Sequence, residues 1–392
     1  MTEDAPNRSP AVSRRSRVRV VGSGPVSMAF ACFACRQGIA PDRILLDRAP
    51  GPPPPALAGR ALALSLGTWQ LLARIGRLPR AAPIGTVDVT VSGLPGRVRL
   101  TASELGVPAL GYVVRYATLV EALERGVAAA GLMYTVPGVD GANLGSPSTP
   151  GAPAADSSAE GAMLVVHAEG DTGGDVSELA FAQSALLAEV EVEADHAAGP
   201  LLPAHERFTV AGPLALLPLP EPRRYSLVWC ASPEESQRRA SLAPEALAAE
   251  LQNAFGWSLG RLSFWNTPIV APMVRKARRR IAGDREVWIG NAAQALHPVA
   301  GQGLNLGVRD AFLLARCLGQ TEADHADETV ALASYARTRR LDRSGTIAMT
   351  DTLARIFSIR PLRPLQSLTL TALDLMPAAR SALARQFMFG FR

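Results

Sequence analysis

The segment that most constrains this chain is GNAAQALHPVAGQGLNLGVRD, residues 290–310. A short apolar strand pattern leads into it and a helical pattern begins near Leu304, so its glycines stand where a strand meets a helix. Gly301 and Gly303 would let the main chain lie against a flat, anionic group at the start of that helix, whose free N–H groups favour negative charge. A flavin ring fits, because negative charge grows at its N1/C2 carbonyl on reduction. The alternative is a glycine-rich surface turn.

A second glycine pattern lies near the N-terminus, in RVRVVGSGPVS, residues 17–27. In a dinucleotide-binding fold the first glycine, here Gly22, permits a tight turn, and the second, Gly24, lets the backbone approach a pyrophosphate. The third position is Ser27, which is small but is not glycine. Asp47 ends the next strand pattern, RILLD, where an acidic side chain binds a ribose hydroxyl. We therefore expect a dinucleotide cofactor; the alternative is an ordinary strand–turn–helix with a solvated Asp47.

Composition and charge limit the class of protein. Of the 392 residues, 48% are hydrophobic and 19% are charged, a globular composition that suits two domains or one large domain. The net charge is +5 and is carried almost entirely by arginine. The arginines are scattered apart from RRSR at 14–17 and RKARRR at 275–280, and no nucleic-acid motif accompanies them. We predict no nucleic-acid partner and attribute the excess charge to an anionic cofactor or to acidic lipid.

The cysteines and the N-terminus indicate the cellular compartment. Cys32 and Cys35 form a C-x-x-C pattern, but they lie in an apolar run, MAFACFACRQG, that predicts a buried helix. Buried thiols behave as small hydrophobic groups, so we expect neither a redox pair nor a metal site. Residues 1–16 are polar, lack the apolar core of a signal peptide and are predicted to be disordered. Because no apolar run is long enough to span a bilayer, we expect a cytoplasmic protein.

Hydrophobic periodicity gives the order of the elements. It predicts a strand–helix–strand start, a helix over 61–75, a hairpin from TVDVTV and RVRL, and an amphipathic helix in YATLVEALERGVAAAG. Residues 136–161 are rich in Gly, Ala, Ser and Pro, which predicts a long flexible surface loop. Between about 180 and 270 the pattern changes to the strands ALLAEVEVE, ERFTV, LALLPL and YSLVWC, interrupted by one helix, PEALAAELQNAF. This change predicts a separate, sheet-rich domain.

The segment 290–310 resembles the second flavin motif of the group A flavoprotein aromatic hydroxylases. More narrowly it resembles the ubiquinone-biosynthesis hydroxylases, nearest to the 2-polyprenyl-6-methoxyphenol hydroxylase branch, which often carries Asn after the first glycine, as at Asn291. The resemblance runs along roughly residues 17–390. The other similar stretches are GRALALSLGTWQLLARIG, LGYVVRYATLVEAL, ERFTVAGPLALLPLP, YSLVWC, LQNAFGWSLGRL, YARTRRLDR and TDTLARIF.

The resemblance implies an α/β fold, with a Rossmann-type FAD-binding domain, a sheet-rich substrate domain and a helical C-terminal tail, as in p-hydroxybenzoate hydroxylase. The implied FAD-binding domain is discontinuous and covers 17–80, 101–179 and 271–345. The implied substrate domain covers 81–100 and 180–270, and the tail covers 346–392.

The resemblance also implies a reaction, the hydroxylation of a polyprenylated phenol in ubiquinone biosynthesis. NADPH or NADH would reduce FAD, O2 would form a flavin C4a-hydroperoxide, and the distal oxygen would go to an activated phenol carbon. Two alternatives stay open. One is another ring position or another aromatic substrate, because regiochemistry depends on pocket shape. The other is a flavin-binding or flavin-free subunit of a ubiquinone-biosynthesis protein complex.

The motif matches assign roles to particular residues. Gly22, Gly24, Ser27 and Asp47 would hold the ADP half of FAD, Arg60 would contact the cofactor, and Asn291 would reach its ribityl or pyrophosphate region. His297 and Pro298 would edge the substrate pocket, where His297 could help to ionise a phenol; the alternative is a packed, hydrogen-bonded histidine. The isoalloxazine ring would be lined by Gly301, Gln302, Gly303, Leu304 and Asn305.

One segment departs from the family pattern. Relatives carry ADG followed by Ser and Arg near the end of the FAD-binding domain, whereas this chain reads HAEGDTGGDV at 167–176, with Glu169 in place of the Asp. In relatives that segment takes part in cofactor and nicotinamide handling. The departure favours the subunit alternative, and the intact GQGLNLGVRD favours an enzyme.

The C-terminal tail has an apolar pattern with arginine flanks. Leu365, Leu368, Ala372 and Leu375 fall near one helical face, and the sequence predicts that Phe387, Met388, Phe389 and Phe391 are exposed beside Arg385 and Arg392. Such a surface suits peripheral contact with the inner membrane, a polyprenyl chain or a partner protein. The alternative is a helix that packs on its own domain.

Overall fold

The structure is a computed structural model that describes residues 17–47, 58–135, 163–170, 173–193, 200–296, 301–324, 326–356 and 363–390. Their strands, in chain order, are β1 (Arg17–Val21), β2 (Ile44–Asp47), β3 (Ala61–Ser65), β4 (Ala82–Val91), β5 (Arg97–Thr101), β6 (Gly111–Arg115), β7 (Met133–Thr135), β8 (Met163–His167), β9 (Val176–Val192), β10 (Leu202–Phe208), β11 (Pro213–Pro218), β12 (Arg224–Ala231), β13 (Leu262–Phe264), β14 (Ile269–Arg278), β15 (Glu286–Trp288) and β16 (Gln294–Ala295). Their α-helices are α1 (Pro25–Arg36), α2 (Leu66–Ala73), α3 (Tyr116–Ala129), α4 (Pro233–Ala240), α5 (Pro244–Phe255), α6 (Gln302–Ala323), α7 (Glu328–Ile356), α8 (Arg363–Asp374) and α9 (Pro377–Phe389).

The smaller sheet confirms the predicted strand–helix–strand start. Its five strands are parallel and lie in the order β15–β8–β1–β2–β7. Val18 and Val20 of β1 are buried in one core with Phe30 of α1 and Leu314 of α6. Helices cover parallel strands in this way because the crossover connections cross the faces of the sheet. The carboxyl ends of β1 and β2 therefore bring the Gly22 turn and Asp47 to the same edge.

The larger sheet contains the predicted sheet-rich region. It runs β16–β14–β9–β12–β11–β10–β4–β6–β3, with β13 paired to β9 and β5 paired to β4. The predicted hairpin is β4 and β5, and the strands expected between 180 and 270 are β9 to β12. β3, β6 and β14 also belong to this sheet by hydrogen bonding, and the domain boundaries stay a prediction.

An ion-pair cluster shows that the larger sheet is strongly curved. Arg115 at the end of β6 binds Glu189 of β9, and it also donates to Glu221 at 3.1 Å. β6 and β9 are five places apart in the sheet, so a flat sheet would hold them about 24 Å apart. Direct contact between their side chains requires the sheet to curl, which encloses its concave face.

Helices cover the two faces of this sheet differently. α5 packs Leu247, Leu251 and Phe255 against Trp229 and Leu214 on the convex face. On the concave face, Leu370 of α8 packs with Phe208, while Met388 of α9 packs with Ala204 and Ile84. The C-terminal helices are therefore part of the enclosure of the concave face.

The end of the chain corrects part of the tail prediction. Met388 is only 4% exposed and Phe389 packs in the same cluster, so these residues are not on the surface as predicted. A Cβ built on Gly390 would lie 2.6 Å from Oδ1 of Asp342 and 2.8 Å from Nε of Arg309, so the chain runs directly over that ion pair. Phe391 lies outside the described residues.

The exposed apolar face belongs to α8 instead. Leu368 is 65% exposed and Leu375 is 77% exposed, and Leu365 and Ala372 lie on the same side of the helix. Within the described parts of the chain, no helix is long and apolar enough to cross a membrane.

Two further elements differ from the sequence prediction. Residues 61–65 form β3 rather than the first turns of a helix, because they pair along their whole length with β6. The helix begins only after Ser65, whose side chain caps it by accepting a hydrogen bond from the Thr68 N–H at 3.3 Å. α4 was not predicted. The loop predicted at 136–161 and the disordered segment predicted at 1–16 lie outside the described residues.

The prediction that the C-x-x-C run forms a buried helix is confirmed. Cys32 is buried in α1 and Cys35 is half-buried, and both are free thiols. Burial raises the pKa of the Cys32 thiol to about 12, so the reactive thiolate is absent at neutral pH. Among the described residues, no group of His, Cys, Asp and Glu side chains could hold a metal ion.

Candidate active site

The first glycine turn joins β1 to α1. Gly22 has a φ of +111°, and a Cβ there would lie 2.7 Å from the carbonyl carbon and oxygen of Ala168, so the fold itself requires glycine. Gly24 is different, because a Cβ there would meet no heavy atom of the described residues within 4 Å. Gly24 is the N-cap of α1, whose first N–H groups point outward. The open space beside Gly24 is therefore suited to a pyrophosphate on the helix N-terminus.

Ser27 and Asp47 both make contacts within the protein. The buried Ser27 hydroxyl donates to the carbonyl oxygen of Gly24 at 2.7 Å, which stabilises the turn. The Asp47 carboxylate accepts from Oγ1 of Thr135 at 2.9 Å and lies 3.4 Å from Nε of Arg19, and both contacts use its Oδ1. β1 and β2 are adjacent, so Asp47 lies on the same edge of the sheet as the Gly22 turn, where a ribose would follow the pyrophosphate.

The second glycine turn opens α6. Gly301 is the N-cap in the left-handed region, with a φ of +58°, and a Cβ there would lie 3.3 Å from the Cβ of Ala63 in β3. Among the parts of the chain that the structure describes, a Cβ on Gly303 would meet no heavy atom within 4 Å. The turn thus packs on β3 through Gly301 and leaves the backbone around Gly303 open at a helix N-terminus. A flavin ring could approach the backbone there without steric conflict.

Asn305 holds this turn against β3. Its Oδ1 accepts from the Ser65 N–H at 2.8 Å, and its Nδ2 donates to the carbonyl oxygens of Ala63 at 3.0 Å and Gly301 at 2.8 Å. The buried amide therefore uses its hydrogen-bonding capacity within the protein. Gln302 is also buried, and Leu304 packs partly against the core, so the groups left open toward a ligand are the backbone around Gly303.

The first turn of α1 packs against Gly290 and against Gly307 of α6 through one side chain. A Cβ on Gly307 of α6 would lie 2.9 Å from Cγ2 of Val26 and 3.0 Å from Cα of Gly290. Gly290 has a φ of +60°, and a Cβ there would lie 3.0 Å from Val26 as well. Val26 belongs to α1, just after Gly24. The N-terminal turn of α1 and the segment before α6 thus form one packed unit.

A buried network of ion pairs supports this packed unit. It was not predicted from the sequence. Asp310 accepts from the Gly290 N–H at 3.1 Å and binds Arg339 of α7 at 2.6 Å. Arg339 also binds Asp342, which binds Arg309 at 2.8 Å. Burial opposes ionisation, but the guanidinium groups of Arg309 and Arg339 hold the pKa of Asp342 below its usual value. Paired charges at the end of GQGLNLGVRD and in YARTRRLDR were the signal that could have revealed it.

The remaining predicted site residues are only partly placed. Arg60 is exposed just before β3, and its carbonyl oxygen accepts from the Tyr116 N–H at 2.8 Å. Asn291 is exposed in the 3-10 turn Gly290–Ala292. His297 and Pro298, the predicted catalytic residues, lie outside the described residues.

The departing segment at 167–176 is held by a stack of side chains. The His167 ring lies parallel to that of Trp288, with centroids 5.0 Å apart, and its Nδ1 lies 3.0 Å from Oε1 of Glu169. Arg278 covers the Trp288 ring at 3.9 Å and donates to the carbonyl oxygen of Gly173. Because Gly22 packs on the backbone of Ala168 and Glu169, this stack fixes the wall beside the first glycine turn.

Comparison with known proteins identifies a flavoprotein family. A family described as "FAD binding domain" matches residues 172–348. The chain is 31% identical to ubiquinone hydroxylase UbiL of Rhodospirillum rubrum, over 95% of this chain and 89% of that protein. It is 28% identical to 3-demethoxyubiquinol 3-hydroxylase of Escherichia coli, over 92% of this chain and 95% of that protein.

Solved structures show the same fold at lower sequence identity. The p-nitrophenol 4-monooxygenase PnpA of Pseudomonas putida superimposes with a TM-score of 0.71 at 15% identity, over 96% of this chain and 99% of that one. The structural likeness establishes the fold, and the similarity to UbiL over nearly the whole length of both proteins establishes the family. The chain belongs to the FAD-dependent ubiquinone hydroxylases.

Proposed function

We propose that this protein is an FAD-dependent monooxygenase that hydroxylates a polyprenylated phenol in ubiquinone biosynthesis, with NADPH or NADH as the electron donor and O2 as the oxygen source. The observation that carries the proposal is the pair of glycine turns. Each opens a helix, each has one glycine whose Cβ position meets no heavy atom of the described residues within 4 Å, and Val26 packs α1 against α6. The names of the relatives, which include ubiquinone hydroxylases, support the substrate class.

The chain's own residues would divide the work of holding the cofactor. The N–H groups that open α1 beside Gly24 would bind the pyrophosphate, and Asp47 would accept a hydrogen bond from a ribose hydroxyl. The backbone around Gly303 would donate to the electron-rich edge of the flavin at the start of α6. Bound FAD supplies the hydride acceptance and oxygen activation that no amino-acid side chain can provide.

The concave face of the larger sheet would exclude water from the reaction. It is mostly apolar, and α8 and α9 cover parts of it with Leu370 and Met388. An apolar, enclosed surface suits a phenol that carries a prenyl chain. Exclusion of water also limits the loss of reactive oxygen species to side reactions.

The outer face of α8 would contact the membrane surface on the cytoplasmic side. Leu365, Leu368, Ala372 and Leu375 form an exposed stripe in which none of the four residues is charged. Exposed apolar patches of this kind mark interaction sites. A peripheral position would bring the enzyme close to a lipid-soluble substrate and to partner proteins of the same biosynthesis.

The test is an anaerobic stopped-flow experiment on the FAD-loaded protein. NADPH, and separately NADH, would be mixed in with and without a phenol that carries a geranyl group, while the oxidised flavin band is followed. We expect bleaching that is faster with the phenol, and a hydroxylated product after O2 is admitted. If neither nucleotide bleaches the flavin, the proposed electron donor is wrong; if bleaching gives only hydrogen peroxide, the proposed substrate is wrong.

A further inference from the structure

Glu206 lies on the concave face of the larger sheet. Along β10 it alternates with Ala204 and Phe208, and its cross-strand neighbours are Ala215 of β11 and Val89 of β4. Cross-strand partners share a face, so Glu206 is surrounded by alanine and valine side chains. Its chain neighbour His205 points to the other face, where its ring contacts Phe255 of α5. An acidic side chain in such apolar surroundings is unusual, because acidic residues are rarely buried without a partner.

The face that carries Glu206 continues across the sheet to the second glycine turn, Gly301–Gly303, which we call the flavin turn. Leu202 of β10 pairs with Ile84 of β4, and a bulge at Gly85 keeps Ile84 on the same side as Val87 and Val89. Ala82 pairs with Val113 of β6, which pairs with Ala63 of β3. Ala63 is the residue against which Gly301 packs. Because the sheet is curved, one enclosed surface joins the flavin turn to Glu206.

The Glu206 carboxyl lies among apolar side chains but keeps partial access to solvent. Its side chain is only half-buried by surface area, yet burial within the protein raises its pKa to about 7. The side chains of Ala204 and Ala215 beside it are small. Among the described residues, no hydrogen-bond donor or cation contacts its carboxylate. A structural carboxylate at this depth would have such a partner.

The other ionisable groups around this face are neutral or paired. Burial, and to a lesser degree Glu206 itself, raise the pKa of Cys230 on β12 to about 12, so its thiol stays protonated. Glu189 and Glu221 bind Arg115 at one end of the sheet. Arg224 of β12 stacks its guanidinium on the Trp265 ring, 3.0 Å from the ring centroid. Two further ion pairs on the elements that pack here are Arg275 with Asp351, from β14 and α7, and Arg380 with Asp374, from α9 and α8.

We propose that Glu206 binds the phenolic hydroxyl of the substrate and accepts its proton during hydroxylation; this rests on the proposed function. In that step the O–H bond of the phenol breaks and a new O–H bond forms on the Glu206 carboxylate. The phenol oxygen keeps the electron pair and donates it into the ring, which makes the ring carbon a better nucleophile toward oxygen. The proton then leaves to solvent, to which the half-buried Glu206 side chain keeps access.

The chemistry of the group matches this role. A general base works best when its pKa lies near the operating pH, because it is then ionised enough to act and basic enough to take a proton. A carboxylate with no protein partner is also free to accept a hydrogen bond from a ligand. Glu206 meets both conditions, and it belongs to a rigid strand rather than to a loop.

The test compares the wild type with Glu206→Gln and Glu206→Asp, using the geranyl-substituted phenol as substrate. Glu245→Gln is the matched control, because Glu245 is exposed on α5, on the opposite side of the same sheet. We expect the wild-type kcat to rise with pH through about 7. Glu206→Gln should lose this rise and lower kcat about 100-fold, because the amide cannot accept the proton, and it should raise KM by no more than about tenfold, because its hydrogen bond to the phenol is weaker. Glu206→Asp should keep the pH dependence at a reduced rate.

A binding measurement provides a readout that does not depend on turnover. The phenol and its O-methyl ether would be titrated into the FAD-loaded protein at pH 8, followed by the change in the flavin spectrum. We expect the wild type to prefer the phenol about tenfold, and Glu206→Gln to lose most of that preference, since a hydrogen bond to a charged acceptor is stronger.

The outcomes separate the two proposals. If the wild type hydroxylates the phenol and Glu206→Gln keeps the kcat, the pH dependence and the preference for the phenol, the role of Glu206 is overturned and the function stands. If the wild type neither binds nor hydroxylates the phenol, the proposed function fails and the role of Glu206 fails with it. The FAD content and the unfolding midpoint of each variant would show whether it is folded.

Discussion

The Asn305 side chain accepts a hydrogen bond from the Ser65 backbone N–H at 2.8 Å, and so joins the helix of one glycine turn to the strand of the larger sheet. The Asn305 amide thus takes the place of a neighbouring strand in hydrogen bonding to β3. These bonds fix the distance between the flavin turn and the concave face, and they do not involve the flavin.

Replacing Asn305 by Ala should weaken FAD binding and destabilise the fold. The buried Ser65 N–H and Ala63 carbonyl would lose their partner, at a cost of about 2–3 kcal/mol in the free energy of unfolding. We expect the FAD Kd to rise at least tenfold, measured by flavin fluorescence. Asn253→Ala on the exposed face of α5 is the matched control and should change neither quantity. An unchanged Kd in Asn305→Ala would show that Gly301 holds the turn alone.

Two neighbouring glycines should respond differently to the same change. Gly22→Ala places a Cβ against the Ala168 backbone at a φ of +111°, so we expect a loss of at least about 2 kcal/mol of stability. Gly24 has a φ of −85° and a ψ of 179°, which alanine adopts easily, and no protein atom lies near its Cβ. Gly24→Ala should therefore fold normally but bind FAD at least tenfold more weakly. Urea unfolding of the apoprotein and FAD titration measure the two effects, and equal FAD affinity in Gly24→Ala would exclude a pyrophosphate there.

The raised pKa of Glu206 predicts how stability depends on pH. Below about pH 4.5 the carboxyl is protonated in both the folded and the unfolded states, so it adds no pH-dependent term. Between about 4.5 and 7 the unfolded state ionises while the folded state keeps its proton, so the folded state loses stability as the pH rises. Relative to Glu206→Gln, the wild type should lose roughly 2–3 kcal/mol over this window. Urea unfolding at a series of pH values measures the difference, and parallel curves for the two proteins would contradict the raised pKa.

Breaking the buried charge network should damage cofactor binding from a distance. Arg339→Met leaves Asp310 and Asp342 without their shared cation, which should cost about 3–5 kcal/mol of stability. Asp310 also holds the Gly290 N–H, so FAD affinity should fall together with stability. Arg340→Met is the control, because Arg340 is exposed on the same helix. If a destabilised Arg339→Met keeps full FAD affinity, the charge network stabilises the fold but does not support cofactor binding.

The exposed stripe on α8 predicts a membrane contact that mutation can remove. Leu368→Ser combined with Leu375→Ser should lower binding to vesicles of phosphatidylethanolamine and phosphatidylglycerol at least fivefold, since each leucine would bury apolar surface in the bilayer. Stability should change little, because both side chains are already exposed. Leu341→Ser, at an exposed leucine of α7, is the matched control. If the wild type, the double variant and Leu341→Ser sediment equally with vesicles, the stripe does not bind lipid.

The sequence predicts best those elements whose local backbone conformation requires one type of residue. A turn that needs a positive φ at Gly22 and Gly301 demands glycine, so the two turns could be located from spacing alone. Residues 61–65 could not be assigned correctly in the same way. The run ALALS suits a helix or a strand, and its pairing with β6, about fifty residues away, decides the outcome.

The site residues show the same difference between local patterns, which the sequence reveals, and long-range contacts, which it does not. The cofactor turns follow from pattern, but the role of Asn305 as a bridge to β3 depends on a contact across 240 positions. Glu206 gives no local signal, because β10 carries polar residues on both faces, and only the sheet register shows which of them points inward. The part of the tail prediction that placed Met388 and Phe389 on the surface failed for a related reason. Its phenylalanine and methionine pattern resembles an exposed membrane anchor until α9 is placed against β4 and α2.

Gly390 lies on the Asp342–Arg309 pair, and that pair is connected through Arg339 and Asp310 to the backbone before α6. We therefore expect docking of α9 and occupancy of the cofactor site to be coupled, and such coupling is reciprocal. A protein that loses its cofactor would release α9 more often, and a protein whose α9 is detached would hold its cofactor less tightly. The last turn of the chain thus reports on the state of the flavin site, and its amide hydrogens would exchange faster in the apoprotein than in the holoprotein.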